Sequence, residues 1–274
     1  MTTRWHIGAK QLRGAIVSYA KRFDLLEVRI APPSSSASVR PGEKSGARPK
    51  GESAEEASPN LGTLRRWRKS VPPHFHFAVV AGPHLSRVRP TEDAEHELEA
   101  ARLAIDALQA RCFVLRTPPD VTPTALWRER IARIVARVPH DVTHFVWEPS
   151  GVWEIADAAS QAHAWGAVLA VDPLRELVPS GQVAYLRLRA LGETQAFGGP
   201  ALERAMSAVG PRREVFVILE SDSALSEAKR LRELVRRSPS DAGGAGRLVR
   251  PRRSIVVSDD EQELRLCTLG TSDR

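Results

Sequence analysis

From Phe145 to Asp172 the chain reads FVWEPSGVWEIADAASQAHAWGAVLAVD, a strand, a helix and a second strand, with an acidic residue at the exit of each strand. The apolar run ending at Trp147-Glu148-Pro149 has strand character, helical spacing begins near Val152, and a second apolar run ends on Asp172-Pro173. Two strands joined through a helix run parallel, and the crossover covers one face of the sheet. That geometry leaves few folds open once the unit repeats, and here it repeats from end to end.

Strands are expected at 5–8, 25–30, 75–81, 112–116, 143–147, 167–171, 183–188 and 214–219. The first helix is expected over 11–23, with Leu12, Ile16, Tyr19, Ala20 and Phe23 on one side. Further helices are expected at 61–70, from Thr91 with acids in its first turn through 110, from Thr122-Pro123 to 137, at 152–164, 200–209 and 223–235. The helix of the sixth unit is weak. Several strands are continuous apolar runs, as when both faces are buried. Eight successive units of this kind are best closed as an α/β fold of the (β/α)8 TIM-barrel type. An open doubly wound sheet is the alternative, but no strand is followed by a GxGxxG turn.

The barrel is expected to occupy 1–237 as a single domain. Residues 31–60 (APPSSSASVRPGEKSGARPKGESAEEASPN) have too little apolar surface to offset their ordering entropy and read as a flexible insertion after strand two. A flexible basic segment at 238–253 and a C-terminal extension at 254–274 follow. The chain carries a formal net charge of +7, and 229–253 alone holds nine basic against two acidic residues. Arg236, Arg237, Arg250, Arg252 and Arg253 are the candidate nucleic-acid contacts in that stretch; a solvated helix face followed by a basic loop is the plainer alternative. No apolar run is long enough to span a bilayer, no signal-peptide h-region opens the chain, and Cys112 and Cys267 are isolated thiols. A cytoplasmic protein without a membrane partner is expected.

The residues also resemble the YecE-like family of barrel proteins, a domain of unknown function. The likeness covers most of 5–236. It runs through Tyr19-Ala20 and Phe23 with Glu27, Trp67 with Phe75-His76-Phe77-Ala78-Val79, and Thr117-Pro118-Pro119. It is nearest at Trp147-Glu148-Pro149, Trp153, Val171-Asp172-Pro173 and Ala184-Tyr185-Leu186-Arg187-Leu188. Departures from the family's pattern gather at the polar positions of the barrel mouth: Arg29, Val80, Arg116, Ser150, Arg189-Ala190 and Glu220-Ser221 stand where other residues are usual. The resemblance therefore implies a kept framework with a substituted mouth. Its barrel is similar to the endonuclease IV and xylose isomerase group, which implies metal-assisted phosphodiester or sugar chemistry as one option.

In such a barrel function sits at the C-terminal ends of the strands. That face receives Glu27, Glu148, Asp172 and Glu220, with Arg29, Arg116, Arg187 and Arg189. Glu27 and Glu148 are the catalytic candidates; Arg29, Arg116, Asp172, Arg187 and Glu220 are the ligand-binding ones. Carboxylates mixed with guanidinium groups can hold a metal, act as acid and base, or bind an anionic or phosphate-containing ligand. They can also form an ion network satisfied within itself. The histidines make no ligand set: His74, His76, His140 and His144 fall at strand starts, His163 on a helix, and only His84, in a loop after Gly82-Pro83, is at the expected end. No cofactor is expected, and a divalent metal enters only with the hydrolase alternative. HExxH, GxSxG and Walker A patterns are absent.

Overall fold

Eight parallel strands close on themselves in the order β1 to β8, with β8 pairing β1 from Arg4↔Glu214 to Ala9↔Leu219. The computed structural model describes residues 3–30, 59–141, 143–191 and 195–237, which belong to one compact unit. The strands are β1 (Arg4–Ala9), β2 (Leu25–Arg29), β3 (His76–Val80), β4 (Cys112–Arg116), β5 (His144–Glu148), β6 (Val168–Val171), β7 (Val183–Arg189) and β8 (Glu214–Glu220). The helices are α1 (Ile16–Ala20), α2 (Leu61–Ser70), α3 (Pro83–Ser86), α4 (Glu92–Leu108), α5 (Ala125–Val135), α6 (Ile155–Ala164), α7 (Gly199–Val209) and α8 (Ala224–Arg237). No helix among the described residues is long and apolar enough to cross a membrane. The barrel expected from the strand and helix alternation is the fold observed.

The apolar runs divide between two cores, as the pleat requires. Ala78, Val80, Cys112, Val114, Val146, Ala170, Tyr185, Phe216 and Ile218 form a cluster of strand residues alone, which fills the barrel. Their neighbours Phe77, Val79, Phe113, Leu115, Phe145, Trp147, Val215 and Val217 belong to the larger cluster shared with the helices. Trp147 and Trp153, which carry part of the family likeness, lie in that outer core. Trp147 donates to Thr117 Oγ1 at 3.1 Å, Trp153 to the Val121 carbonyl at 2.6 Å, and the two rings meet edge to face at 4.7 Å. These residues hold the framework and lie outside the mouth.

Three expectations need correction. The first helix shrinks to α1, because Gly14 takes a left-handed φ of 81° and no helix precedes Ile16. Tyr19 replaces the missing turns by tying strands together: its hydroxyl donates to the Leu25 carbonyl and accepts from the Ala9 N–H, both at 2.9 Å. Between β6 and β7 there is no helix among the described residues. Asp172 turns the chain there, its Oδ1 accepting from the Leu174 N–H at 3.0 Å and its carbonyl from the Arg175 N–H at 2.9 Å. Finally, His84 belongs to the short helix α3, not to a loop. Helix α4 begins as anticipated, with Thr91 Oγ1 accepting from the Ala94 N–H at 3.2 Å ahead of Glu92, Asp93 and Glu95. Residues 31–58 of the expected insertion, the segments 238–253 and 254–274, and with them Arg250, Arg252 and Arg253, lie outside the described residues.

Candidate functional site

At the C-terminal face the strand register brings acids and arginines side by side. Arg116 of β4 is level with Glu148 of β5, and Arg189 of β7 with Glu220 of β8. Arg187, two residues below Arg189 on the same inward row, reaches into the middle. Its side chain is 2% exposed, and its carboxylate partners Glu27, Glu148 and Glu220 are 7%, 8% and 12% exposed. Arg187 Nε donates to Glu148 at 2.9 Å, Nη1 to Glu220 at 2.8 Å and to Glu27 at 3.1 Å, and Nη2 to the other Glu27 oxygen at 2.5 Å. Glu148 also pairs with Arg116 at 3.1 Å and with Arg189, which in turn meets Glu220 at 3.4 Å.

The network is therefore balanced, with Glu27, Glu148 and Glu220 against Arg116, Arg187 and Arg189. Burial alone would raise the Glu27 carboxyl, but the Arg187 charge and hydrogen bonds outweigh it and hold Glu27 below the ordinary carboxylate range. Tyr185, one layer deeper, donates its hydroxyl to Glu27 at 2.5 Å; burial and then the Glu27 charge keep that phenol protonated far above its usual range. Burial works against the Arg187 charge, yet Glu27 and Glu148 more than compensate and fix it as a guanidinium. A carboxyl with a lowered pKa is a poor general acid, and Glu27 as a base already receives three hydrogen bonds.

The expected site residues thus divide. Glu27, Glu148, Arg116, Arg187 and Glu220 converge, as does Arg189. Asp172 stays apart at the β6 exit, pairing with Arg175 at 3.4 Å as a turn residue. Arg29 ends β2 as an exposed rim residue. Arg236 and Arg237 end α8, which returns toward the opposite face; Arg237 pairs with Glu233. Tyr185 was missed, although it lies two positions before Arg187 on the inward row of β7. A divalent metal needs several free donors converging on one point. Among the described residues no group of three His, Cys, Asp or Glu side chains can hold one, and the mouth carboxylates are each bonded to a guanidinium. The described residues do not fit a metal.

The opposite end holds a second polar layer. His76, His144 and Glu214 open β3, β5 and β8, and His6 is the third residue of β1. The His6 and His76 rings meet at 4.2 Å, and His144 Nε2 lies 3.4 Å from Glu214. Arg111, just before β4, crosses the floor to Glu214 at 3.0 Å. Burial lowers all three histidines, His76 to about 4, so the imidazoles are neutral near pH 7. The sequence does place His76 and His144 at strand starts; the closed barrel was needed to show that His76 meets His6 and His144 meets Glu214.

The family model described as "Protein of unknown function DUF72" matches residues 57–247, a stretch that includes Glu148, Arg187 and Glu220 and begins after β2. No curated protein matches the chain. A solved DUF72 family protein from Enterococcus faecalis V583 shares 14% identity, with 85% of this chain and 98% of that one covered at a TM-score of 0.59. Another from Thermotoga maritima MSB8 shares 12%, with 85% and 99% covered at 0.58. A xylose isomerase domain containing protein from Salmonella typhimurium LT2 shares 15%, with 86% and 95% covered at 0.50. At these identities the likeness is one of fold.

Proposed function

The chain belongs to the DUF72 family, and from that premise we propose that it is a divergent, non-catalytic or weakly catalytic barrel that binds an anionic ligand at its C-terminal face. The observation that carries this reading is Arg187. A buried guanidinium occupies the centre of the mouth, where Glu27, Glu148 and Glu220 would otherwise be available for metal or proton chemistry. Ligand contacts fall to the rim. Arg116 and Arg189 are 34% and 39% exposed, and Arg116 pairs with Glu148 alone among the described residues. Arg29, exposed at the end of β2, is a further arginine at this face. Guanidinium groups anchored at one edge by a carboxylate are oriented to receive a carboxylate or phosphate at the other. Cys112 is a free thiol, in keeping with a reducing cytoplasm.

The alternative, metal-assisted phosphodiester or sugar chemistry, has fold analogy in its favour and lacks a donor set among the described residues. Nucleic-acid binding through 229–253 has Arg236 and Arg237 exposed on α8, and the rest of the segment is outside the described residues. Titration calorimetry with inorganic phosphate and a sugar phosphate tests the main reading. Arg116→Ala, alone and with Arg29→Ala, is expected to weaken binding by about tenfold, the loss of one charge-assisted contact. Unchanged affinity in the double variant would remove the mouth from consideration. A stoichiometric divalent-metal thermal shift abolished by Glu148→Gln would instead restore the hydrolase reading.

A further inference from the structure

At the N-terminal end of the barrel a cavity of about 850 Å³ opens outside the histidine floor. Arg4, Arg213, Arg232 and Arg236 line it together with Arg111, and Trp5 forms part of the wall. The acids that line the cavity among the described residues are Asp24 and Glu214, and both are already engaged: Arg232 holds Asp24 at 2.8 Å and Arg111 holds Glu214 at 3.0 Å. Arg4, Arg213 and Arg236 are exposed and have no carboxylate partner among the described residues. Beneath the cavity His6 Nε2 is buried without a hydrogen-bond partner, an unsatisfied polar atom of the kind a bound group or water answers.

This arrangement is not what a face devoted to stability calls for. Guanidinium groups of one sign gathered around one concavity repel each other and raise the local positive potential, which attracts anions. The mouth matches each carboxylate with arginine, whereas this face leaves positive charge over. From this surplus, the concavity and its size we infer that the N-terminal face is a binding site for a phosphate-bearing small molecule of nucleotide size. Pockets for organic ligands are typically about 300–1,000 Å³, far more than a free phosphate fills. Arg213 and Arg236 would take the phosphate, with Arg232 and Arg111 oriented by their acids, and Trp5 would offer a flat apolar surface to a ring. The neutral histidines would supply hydrogen bonds without adding charge.

The site is separate from the mouth, so the two proposals fail separately. Titration calorimetry on the full chain at about 50 mM salt, where surface charge is weakly screened, uses AMP, ADP and inorganic phosphate as probes. AMP or ADP is expected to bind at least about tenfold more tightly than phosphate. Made in an Arg116→Ala background, so that the mouth does not contribute, Arg213→Ala with Arg236→Ala should weaken that binding about tenfold or more. The thermal unfolding midpoint of the double variant shows that the exposed substitutions leave the fold intact. No saturable nucleotide binding at millimolar concentration overturns the inference, as does binding that survives the double variant. Equal affinity for phosphate and AMP overturns the assignment of size. A single-stranded oligonucleotide that binds more tightly than nucleotide and is not displaced by it overturns the small-molecule assignment in favour of nucleic acid.

Discussion

Replacing Arg187 by methionine removes the one cation that Glu27, Glu148 and Glu220 share and keeps most of the side-chain volume. The consequences differ among the three acids. Glu148 retains Arg116 and Arg189, and Glu220 retains Arg189. Glu27 loses its only ion-pair partner among the described residues and keeps just the Tyr185 hydroxyl. Breaking a buried pair by deleting one partner costs about 3–5 kcal/mol. The ceiling comes from protonation: at about 1.36 kcal/mol per unit, giving a carboxyl of ordinary pKa near 4.3 a proton at pH 8 costs about 5 kcal/mol, and at pH 5 about 1 kcal/mol. In the native protein the folded pKa of Glu27 is lowered, so its contribution is present above the unfolded value of about 4.5 and is lost only as pH falls through the folded pKa. In the variant burial raises that pKa, so the penalty is relieved as pH falls. Urea unfolding followed by tryptophan fluorescence should therefore show a loss of about 3–5 kcal/mol at pH 8 and about 1–2 kcal/mol at pH 5, at unchanged m. Adding Glu27→Gln should recover stability at pH 8. A loss below about 1 kcal/mol at pH 8, or the same loss at both pH values, would refute the account of Arg187 as the charge that the mouth is built around.

Two further outcomes follow from the barrel's packing. A Cβ on Gly8 would lie 2.4 Å from the Leu25 carbonyl oxygen across the β1–β2 pair, where backbone cannot swing aside. Gly8→Ala should destabilise by about 1–3 kcal/mol in urea, and an unchanged midpoint would place the strands farther apart than described. Cys112 is fully buried inside the barrel, and burial pushes its thiol pKa well up. In a Cys267→Ser background, Ellman's reagent should leave the native protein unlabelled and react with one thiol after denaturation; rapid native labelling would contradict the closed interior.

The barrel could be read from the chain because each strand and helix carries a local signal: an apolar run, a cap, an acid-rich first turn. Strand exits are part of that signal, so Glu27, Glu148, Arg116, Arg187 and Glu220 could be assigned to one face without knowing the register. Which acid meets which arginine could not, since Arg187 spans from β7 to partners on β2, β5 and β8 that are up to 160 positions away. Two of the local misreadings have local causes. Apolar spacing over 11–23 is real, but Gly14 breaks the backbone, and the short chain after β6 closes through Asp172 instead of a helix. The N-terminal floor was legible only in pieces, because its contacts, such as His6 to His76 and Arg111 to Glu214, join residues that only the closed barrel brings together. Both ends of this barrel carry arginine beside acid, and what separates them is the balance. At the mouth every carboxylate of the network has its guanidinium, and the ring closes on itself. At the floor Asp24 and Glu214 are outnumbered by the arginines around them, and the surplus faces an open cavity. An ion network that is already neutral offers a ligand only the outer edges of its rim arginines, and one with charge left over offers more. By that measure the stronger anion site of this barrel is the one at its N-terminal end.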